Sequence, residues 1–235
     1  MRCALKGSSA STVAMSIPDA SLPMALNWFA HLALAMILLQ ALRTAPWRRL
    51  RDSIQLHVWL GTCVTLTVLW NFQPLPLPGI ELHLLGATAF TLMFGAPLAV
   101  LGLALVAALT FFMRDLPWSI YSAGVLLLAV VPVAVSQGLL RVVERILPRN
   151  PFIYFFVVAF GGGGLAMAAS ALATTGMVMG FAAAPVAFMA EQFLPYWMLL
   201  AFAEATLTGM MITVFVVYRP KWVGTFDDAS YLYRR

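Results

Sequence analysis

Three histidines and one carboxylate stand out because they interrupt long apolar runs of this 235-residue sequence. His83 begins one apolar run, His31 lies about two turns into another, and His57 lies near the edge of a third. Glu204 lies in the middle of the last run. Imidazole nitrogens bind transition metals, and an ionisable group at membrane depth usually marks a substrate path or a buried contact. These four residues are the first candidates for chemistry.

Each histidine has two interpretations at this level. His83 is either a metal or substrate ligand that faces an outer pocket or an interfacial histidine hydrogen-bonded to a loop. His31 is either a functional intramembrane group or a packed, neutral side chain. His57 is predicted in the opposite leaflet from His83, so we expect an inner-side or helix-end role for it and no shared ion.

Glu204 needs a partner, since a carboxylate in a membrane is costly unless it is paired, protonated or solvated. It is either a substrate-path or subunit-contact residue, or it makes a structural hydrogen bond to a neighbouring helix. Ser136 and Gln137 are the predicted partners in the second case. Asp19 and Glu81 are further carboxylates, both predicted at the outer face.

The composition predicts the elements that must position these groups. The chain is 62% apolar and 10% charged, whereas a soluble domain is about half apolar and about a quarter charged. This balance indicates a polytopic membrane protein and excludes a disordered chain, a disulfide scaffold and an ordinary cytosolic enzyme. We predict an outer segment over residues 1–23, a transmembrane domain over 24–218 and a cytoplasmic tail over 219–235.

One apolar run is too long for a single span. As one helix, residues 82–113 would extend about 48 Å, well beyond a hydrocarbon core of about 30 Å. Pro97 favours a break there because it lacks an amide hydrogen and restricts the residue before it. The resulting prediction is an all-α protein with seven spans, at residues 24–42, 54–72, 82–94, 98–113, 117–140, 151–181 and 193–218.

The charges favour the same division. With seven spans, 11 of the 14 Lys and Arg residues fall on the cytoplasmic side, as the positive-inside rule expects. Only Arg2, Lys6 and Arg114 then lie outside. We therefore predict the N-terminus outside and the C-terminus inside. Because the basic residues lie in short loops between apolar runs, they indicate membrane orientation rather than nucleic-acid binding.

Several motifs of enzymes are missing from the sequence. It contains no HExxH zinc motif, no GxSxG nucleophile motif and no Walker motif, so no enzyme activity is predicted and ATP-driven work would need a partner. The four consecutive glycines at 161–164 are interpreted as a helix-packing surface, since small residues let membrane helices approach closely. An intramembrane enzyme is the weakest alternative.

Four segments together resemble a known family of transporters. Residues 15–23, Met-Ser-Ile-Pro-Asp-Ala-Ser-Leu-Pro, resemble the N-terminal Met-His-Ile-Pro-Asp-Gly-Phe-Leu signature of the CbiM/NikM family. Residues 83–87, His-Leu-Leu-Gly-Ala, and 204–208, Glu-Ala-Thr-Leu-Thr, are similar to two of its later motifs. Residues 218–228 resemble the tail of a bacterial branch of energy-coupling-factor transporter permeases.

The resemblance implies a seven-helix subunit that binds cobalt or nickel at the outer face with nitrogen ligands. In the family these come from the amino-terminal segment and from the histidine that corresponds to His83. The subunit would lie in the lipid of the bacterial inner membrane. A cytoplasmic ATPase pair and a coupling transmembrane subunit would power import of the metal. No permanently bound cofactor is implied, because the divalent metal is the cargo.

The sequence departs from the signature at one ligand. Ser16 stands where the family has its ligand histidine, and fourteen residues precede Met15. Translation from Met15 would restore a terminal amine as a ligand but not the imidazole, and His31 is a possible replacement if the first and third helices are adjacent. The alternatives are a structural or assembly protein of the same family without metal transport, and a stand-alone secondary transporter.

Overall fold

The computed structural model describes residues 24–71, 84–181 and 194–226. Within these ranges the chain is helical and contains no strand. Six helices are long and apolar enough to cross a membrane, which confirms an all-α polytopic membrane protein.

Most helices begin and end within about two residues of the predicted bounds, but the helix predicted to end at 140 continues to Ile146, and the helix within the predicted span 82–94 begins only at Ala87. The first three are α1 (Met24–Thr44), the short α2 (Trp47–Leu50) and α3 (Ser53–Asn71). The next is the short α4 (Ala87–Phe94), followed by α5 (Ala96–Met113). The fourth long helix, Trp118–Ile146, contains α6 (Tyr121–Val125), a π-helical segment (Leu126–Val130) and α7 (Val131–Ile146). The fifth contains α8 (Pro151–Ile153), the π-helical segment Tyr154–Gly161 and α9 (Gly162–Phe181), and the sixth is α10 (Leu194–Tyr218).

The predicted break in the long apolar run is confirmed at Gly95. This glycine has φ +83°, a conformation that L side chains rarely adopt, and it separates α4 from α5. Helix α4 has eight residues, all of them buried, and is about 12 Å long. It is therefore too short to span a bilayer by itself, unlike the six long helices.

Helices α3 and α5 run parallel. The Trp59 indole donates to the Leu98 carbonyl at 3.2 Å near the start of both helices, and Asn71 Nδ2 lies 3.5 Å from Thr110 Oγ1 near their ends. In both pairs the two residues are 39 positions apart in the sequence. The separation can be equal near both ends of the helices only if the helices run in the same direction. The chain between them must therefore return from the Asn71 side to the Gly95 side, and α4 forms the last part of that return.

The described basic residues gather at one end of the helical bundle. We call this the basic end: it carries the α1–α3 connection, Gly95, the connection after Ile146, and the chain after Tyr218. Nine of the ten described Lys and Arg residues lie at or near it, and Arg114 lies at the opposite end. The nine are Arg43, Arg48, Arg49, Arg51, Arg141, Arg145, Arg149, Arg219 and Lys221.

Helix α4 lies at the centre of the bundle. It packs against α5, α7, α9 and α10, while α1 packs mainly against α5 and α6. Phe90, Leu92 and Phe94 are almost fully buried within this core. The short helix is thus held on several sides by longer ones, and its two ends point towards the two ends of the bundle.

Candidate functional site

Glu204 binds the chain immediately before α4. Its carboxylate accepts hydrogen bonds from the backbone amides of Leu85 at 3.0 Å and Gly86 at 2.8 Å. The residue is only 3% exposed, so both bonds lie away from lipid and solvent. A carboxylate with two amide donors is satisfied at a depth where an unpartnered charge would be very costly.

We call residues 84–86 the anchor loop. Gly86 has φ +64° and lies against Leu66, so a Cβ at this position would overlap the leucine side chain. The indole of Trp70 donates to the Leu85 carbonyl at 3.3 Å. The loop is therefore fixed from two sides, by α3 and by the Glu204 carboxylate of α10.

The charge of Glu204 suits its position at a helix N-terminus. The amides that precede a helix have no carbonyl partner within it, and the helix dipole favours a negative charge there. The Gly86 N-cap of α4 receives no other side-chain cap within the described residues. Glu204 supplies from a distant helix the acceptor that the local sequence lacks.

The predicted side-chain partners of Glu204 were wrong. Ser136 instead hydrogen-bonds Thr88 Oγ1 at 2.7 Å and its own helix at the Pro132 carbonyl. The carboxylate instead accepts from the backbone amides of the anchor loop. A structural hydrogen bond of Glu204 is therefore present, but its partners are main-chain groups.

The glycine run at residues 161–164 packs as predicted. A Cβ on Gly163 would lie 3.0 Å from the Glu204 carbonyl oxygen and 3.1 Å from Ala205 Cα. Helices α9 and α10 are therefore in close contact at the level of Glu204. Small residues on α9 let the Glu204 turn of α10 lie close beside it.

His31 lies on the side of the bundle formed by α1, α5 and α6. Its Nδ1 donates to the Asn27 carbonyl at 2.7 Å, and its ring lies 6.3 Å from that of Trp28. Because α1 packs mainly on α5 and α6, the adjacency of α1 and α4 that a replacement ligand requires is not a main contact of this fold.

His57 lines a cavity that reaches from the basic end to Gly86 of the anchor loop. The cavity has a volume of about 440 Å³ and lies between α3, α4 and α10, with Leu66, Met93, Met211 and Phe215 among its walls. His57 Nδ1 donates to the Ser53 carbonyl of its own helix at 2.5 Å. The predicted separation of His57 from His83 stays a prediction, because His83 lies outside the described residues.

Five of the predicted site residues lie outside the described residues: His83, Met15, Ser16, Asp19 and Glu81. Within the described ranges, no group of three His, Cys, Asp or Glu residues could hold a metal ion. The described structure does fix the chain from Leu84 onwards, one residue after His83. The local sequence gave a signal for this, because Gly86 in His-Leu-Leu-Gly-Ala allows the left-handed turn. Nothing local indicated that Glu204 would be its partner.

Comparisons with known proteins support one family. No curated protein and no solved structure gives a significant match. The family model for CbiM, described as the cobalt uptake substrate-specific transmembrane region, matches residues 16–222, which include all six long helices, the anchor loop and Glu204. The chain therefore belongs to the CbiM family of cobalt uptake transmembrane components.

Proposed function

We propose that this chain is the substrate-binding membrane subunit of an energy-coupling-factor importer for Co²⁺ or Ni²⁺. One observation carries the proposal within the family assignment: Glu204 holds the anchor loop directly after His83. A metal ligand needs a fixed position to bind selectively, and a buried supporting contact provides it. Glu204 is thus a positioning residue for His83 rather than a ligand.

The proposed ligand set consists of nitrogen donors. His83 supplies an imidazole, and the segment at Met15 and Ser16 supplies a terminal amine if translation begins at Met15. Asp19 and Glu81, which the sequence predicts at the outer face, would offset the charge of a divalent ion. Nitrogen ligands suit cobalt and nickel better than hard cations such as magnesium. His31 stays a prediction as an additional ligand, although the packing of α1 does not favour it.

The proposed topology has seven crossings, with the N-terminus outside and the C-terminus inside. The parallel pairing of α3 and α5 supports a return crossing that ends in α4. The concentration of arginines at the basic end supports a cytoplasmic position for that end. Under this topology the anchor loop belongs to the outer half of the protein.

The proposed partners are cytoplasmic ATPase subunits and a coupling transmembrane subunit in the bacterial inner membrane. Arg48, Arg51 and Lys221 are candidate contacts on the basic end, since positively charged side chains there can meet acidic partner surfaces or anionic lipid headgroups. A direct test is uptake of radioactive cobalt by cells that express the chain with and without these partners. Uptake that needs both the partners and Glu204 supports the proposal; equal uptake in cells without the chain contradicts it.

A second candidate is a structural or assembly protein of the same family. Ser16 favours it, because one of the family's ligand histidines is missing from this chain. Both candidates keep the anchor, but only the importer requires tight metal binding. A stand-alone secondary transporter is less well supported: among the described residues, Glu204 is the one fully buried charged side chain, and its carboxylate already has two amide partners.

A further inference from the structure

The basic end of α4 is capped by the chain that follows α10. We call residues 219–226 the C-terminal latch. The amide of Gly224 donates to the Met93 carbonyl at 2.9 Å, and the amide of Thr225 donates to the Leu92 carbonyl at 3.2 Å. The last carbonyls of a helix have no partner within it, so the latch satisfies groups that α4 cannot satisfy itself.

The hydroxyl of Thr225 strengthens this cap. It donates to the Leu92 carbonyl at 2.7 Å and lies 2.7 Å from the hydroxyl of Tyr154. The next residue, Phe226, is stacked on Phe155 with ring centroids 6.0 Å apart, and its ring lies 5.0 Å from that of Tyr154. The latch is therefore tied both to α4 and to the π-helical segment that precedes α9.

The C-terminal latch also contacts α2 and the start of α3. Gln55 Nε2 donates to the Lys221 carbonyl at 2.8 Å, and the guanidinium of Arg49 lies 3.4 Å from the same oxygen. Arg49 also lies over the ring of Phe94, 5.7 Å from its centroid, and burial lowers the pKa of this guanidinium. A Cβ on Gly224 would overlap the Arg49 guanidinium, so the glycine leaves room for the observed position of this side chain.

Helix α4 has space on one side despite its burial. Gly86, Ala89 and Met93 line the cavity of about 440 Å³ between α4, α3 and α10. A packed core moves between discrete arrangements and not by gradual deformation. The cavity leaves space beside α4, and the bonds at its two ends hold the helix in the observed position.

We propose that the C-terminal latch positions the outer metal site from the opposite side of the membrane. Helix α10 carries Glu204 and continues directly into the latch, so one stretch of chain holds α4 at both ends. Because α4 is short and its residues are all buried, release of its inner end shifts its outer end and the anchor loop with it. Thr225 is then a positioning residue for the metal ligand His83, and a partner at the basic end can reach the site through the latch.

The inference rests on the proposed function, and its test uses two separate readouts on the full chain in lipid nanodiscs. Cobalt titration measures the dissociation constant, and hydrogen exchange measures the protection of residues 84–94. The variant is Thr225→Val, which keeps the shape of the side chain and removes the hydroxyl. Thr225→Ser restores the hydroxyl. Thr174→Val is the matched control, because Thr174 is also a buried hydroxyl with a bond to its own helix, at Ser170.

We expect Thr225→Val to weaken cobalt binding about tenfold, as the loss of one or two hydrogen bonds allows, and to speed exchange in residues 84–94. Thr225→Ser and Thr174→Val should bind and exchange as the parent does. Unchanged affinity in Thr225→Val overturns the latch proposal, whether or not exchange changes. If Thr225→Val does not fold, Tyr154→Phe, which removes the hydroxyl that meets Thr225, is judged by the same two readouts.

Failure of the proposed function gives a different result. A parent chain that binds no cobalt contradicts the proposed function. Hydrogen exchange alone then tests whether the two ends of α4 are linked. Faster exchange at residues 84–86 in Thr225→Val would still support a link between the two ends of α4. Exchange confined to residues 92–94 would overturn it.

Discussion

Glu204 Oε1 lies 2.8 Å from the amide nitrogen of Gly86, although 118 positions separate the two residues in the sequence. This bond and its neighbour at Leu85 tie the last long helix to the loop that begins the buried helix α4. The loop follows His83 directly, so the contact connects a structural requirement of the fold with the proposed metal ligand. The buried Glu204 carboxylate, the left-handed Gly86 and the short helix α4 together fix the loop that follows His83.

Replacing Glu204 should destabilise the protein and weaken metal binding. Glu204→Gln keeps one carbonyl acceptor but turns an NH₂ group towards the amide that loses its partner. We expect the free energy of unfolding to fall by about 2 kcal/mol, because a buried amide loses its partner. Tryptophan fluorescence during denaturant titration measures this change. Thr206→Val is the control, since Thr206 is a half-buried residue of the same helix whose hydroxyl bonds the Phe202 carbonyl of that helix; an equal loss in both variants would contradict a specific anchor.

Gly86→Ala should be destabilising, and part of the loss should depend on Leu66. The added Cβ meets the Leu66 side chain, and the left-handed conformation costs an L residue about 1–2 kcal/mol. The variant Leu66→Ala removes the obstacle at the expense of a cavity. A double-mutant cycle should therefore show that the two changes together cost less than the sum of their separate effects. Simple additivity would show that the loop does not lie against Leu66.

Gly163→Ala should separate α9 from α10 at the level of the anchor. A Cβ there lies only 3.0 Å from the Glu204 carbonyl oxygen, and overpacking typically costs about 1–3 kcal/mol. Gly176→Ala on the same helix is the matched control, because a Cβ at Gly176 meets nothing within 4 Å. It should be neutral or stabilising by up to about 1 kcal/mol. Thermal unfolding measures the stability of both variants. The prediction is wrong if Gly163→Ala and Gly176→Ala change the unfolding temperature equally.

The proposed orientation can be read from two matched proline positions. In a chain with Cys3 and Cys63 replaced by alanine, Pro117→Cys and Pro148→Cys each place one thiol at an exposed position, at opposite ends of the bundle. A membrane-impermeant maleimide added to whole cells should label only the Pro117→Cys variant. Labelling of Pro148→Cys before permeabilisation would contradict a cytoplasmic basic end.

The sequence was sufficient for the class of fold and for the break at Gly95, because helix length, apolar composition and proline act locally. It could not predict that the third predicted span would contribute only an eight-residue buried helix to the described structure. The hydrogen-bond partners of Glu204 could not be predicted either, since hydrophobic patterning does not specify which backbone amides approach a distant carboxylate. The same applies to the C-terminal latch, because the contact of Thr225 with Leu92 depends on the packing of the whole bundle.

The most direct test of the proposed metal site is cobalt titration of the purified chain, both full-length and starting at Met15. We expect tight binding of Co²⁺ in at least one of the two forms. In that form, His83→Ala should lose more than the roughly 10–100-fold typical of an altered supporting residue, whereas His57→Ala at the basic end should bind like the parent. Binding that is unchanged in His83→Ala, or no binding in either form, would contradict it.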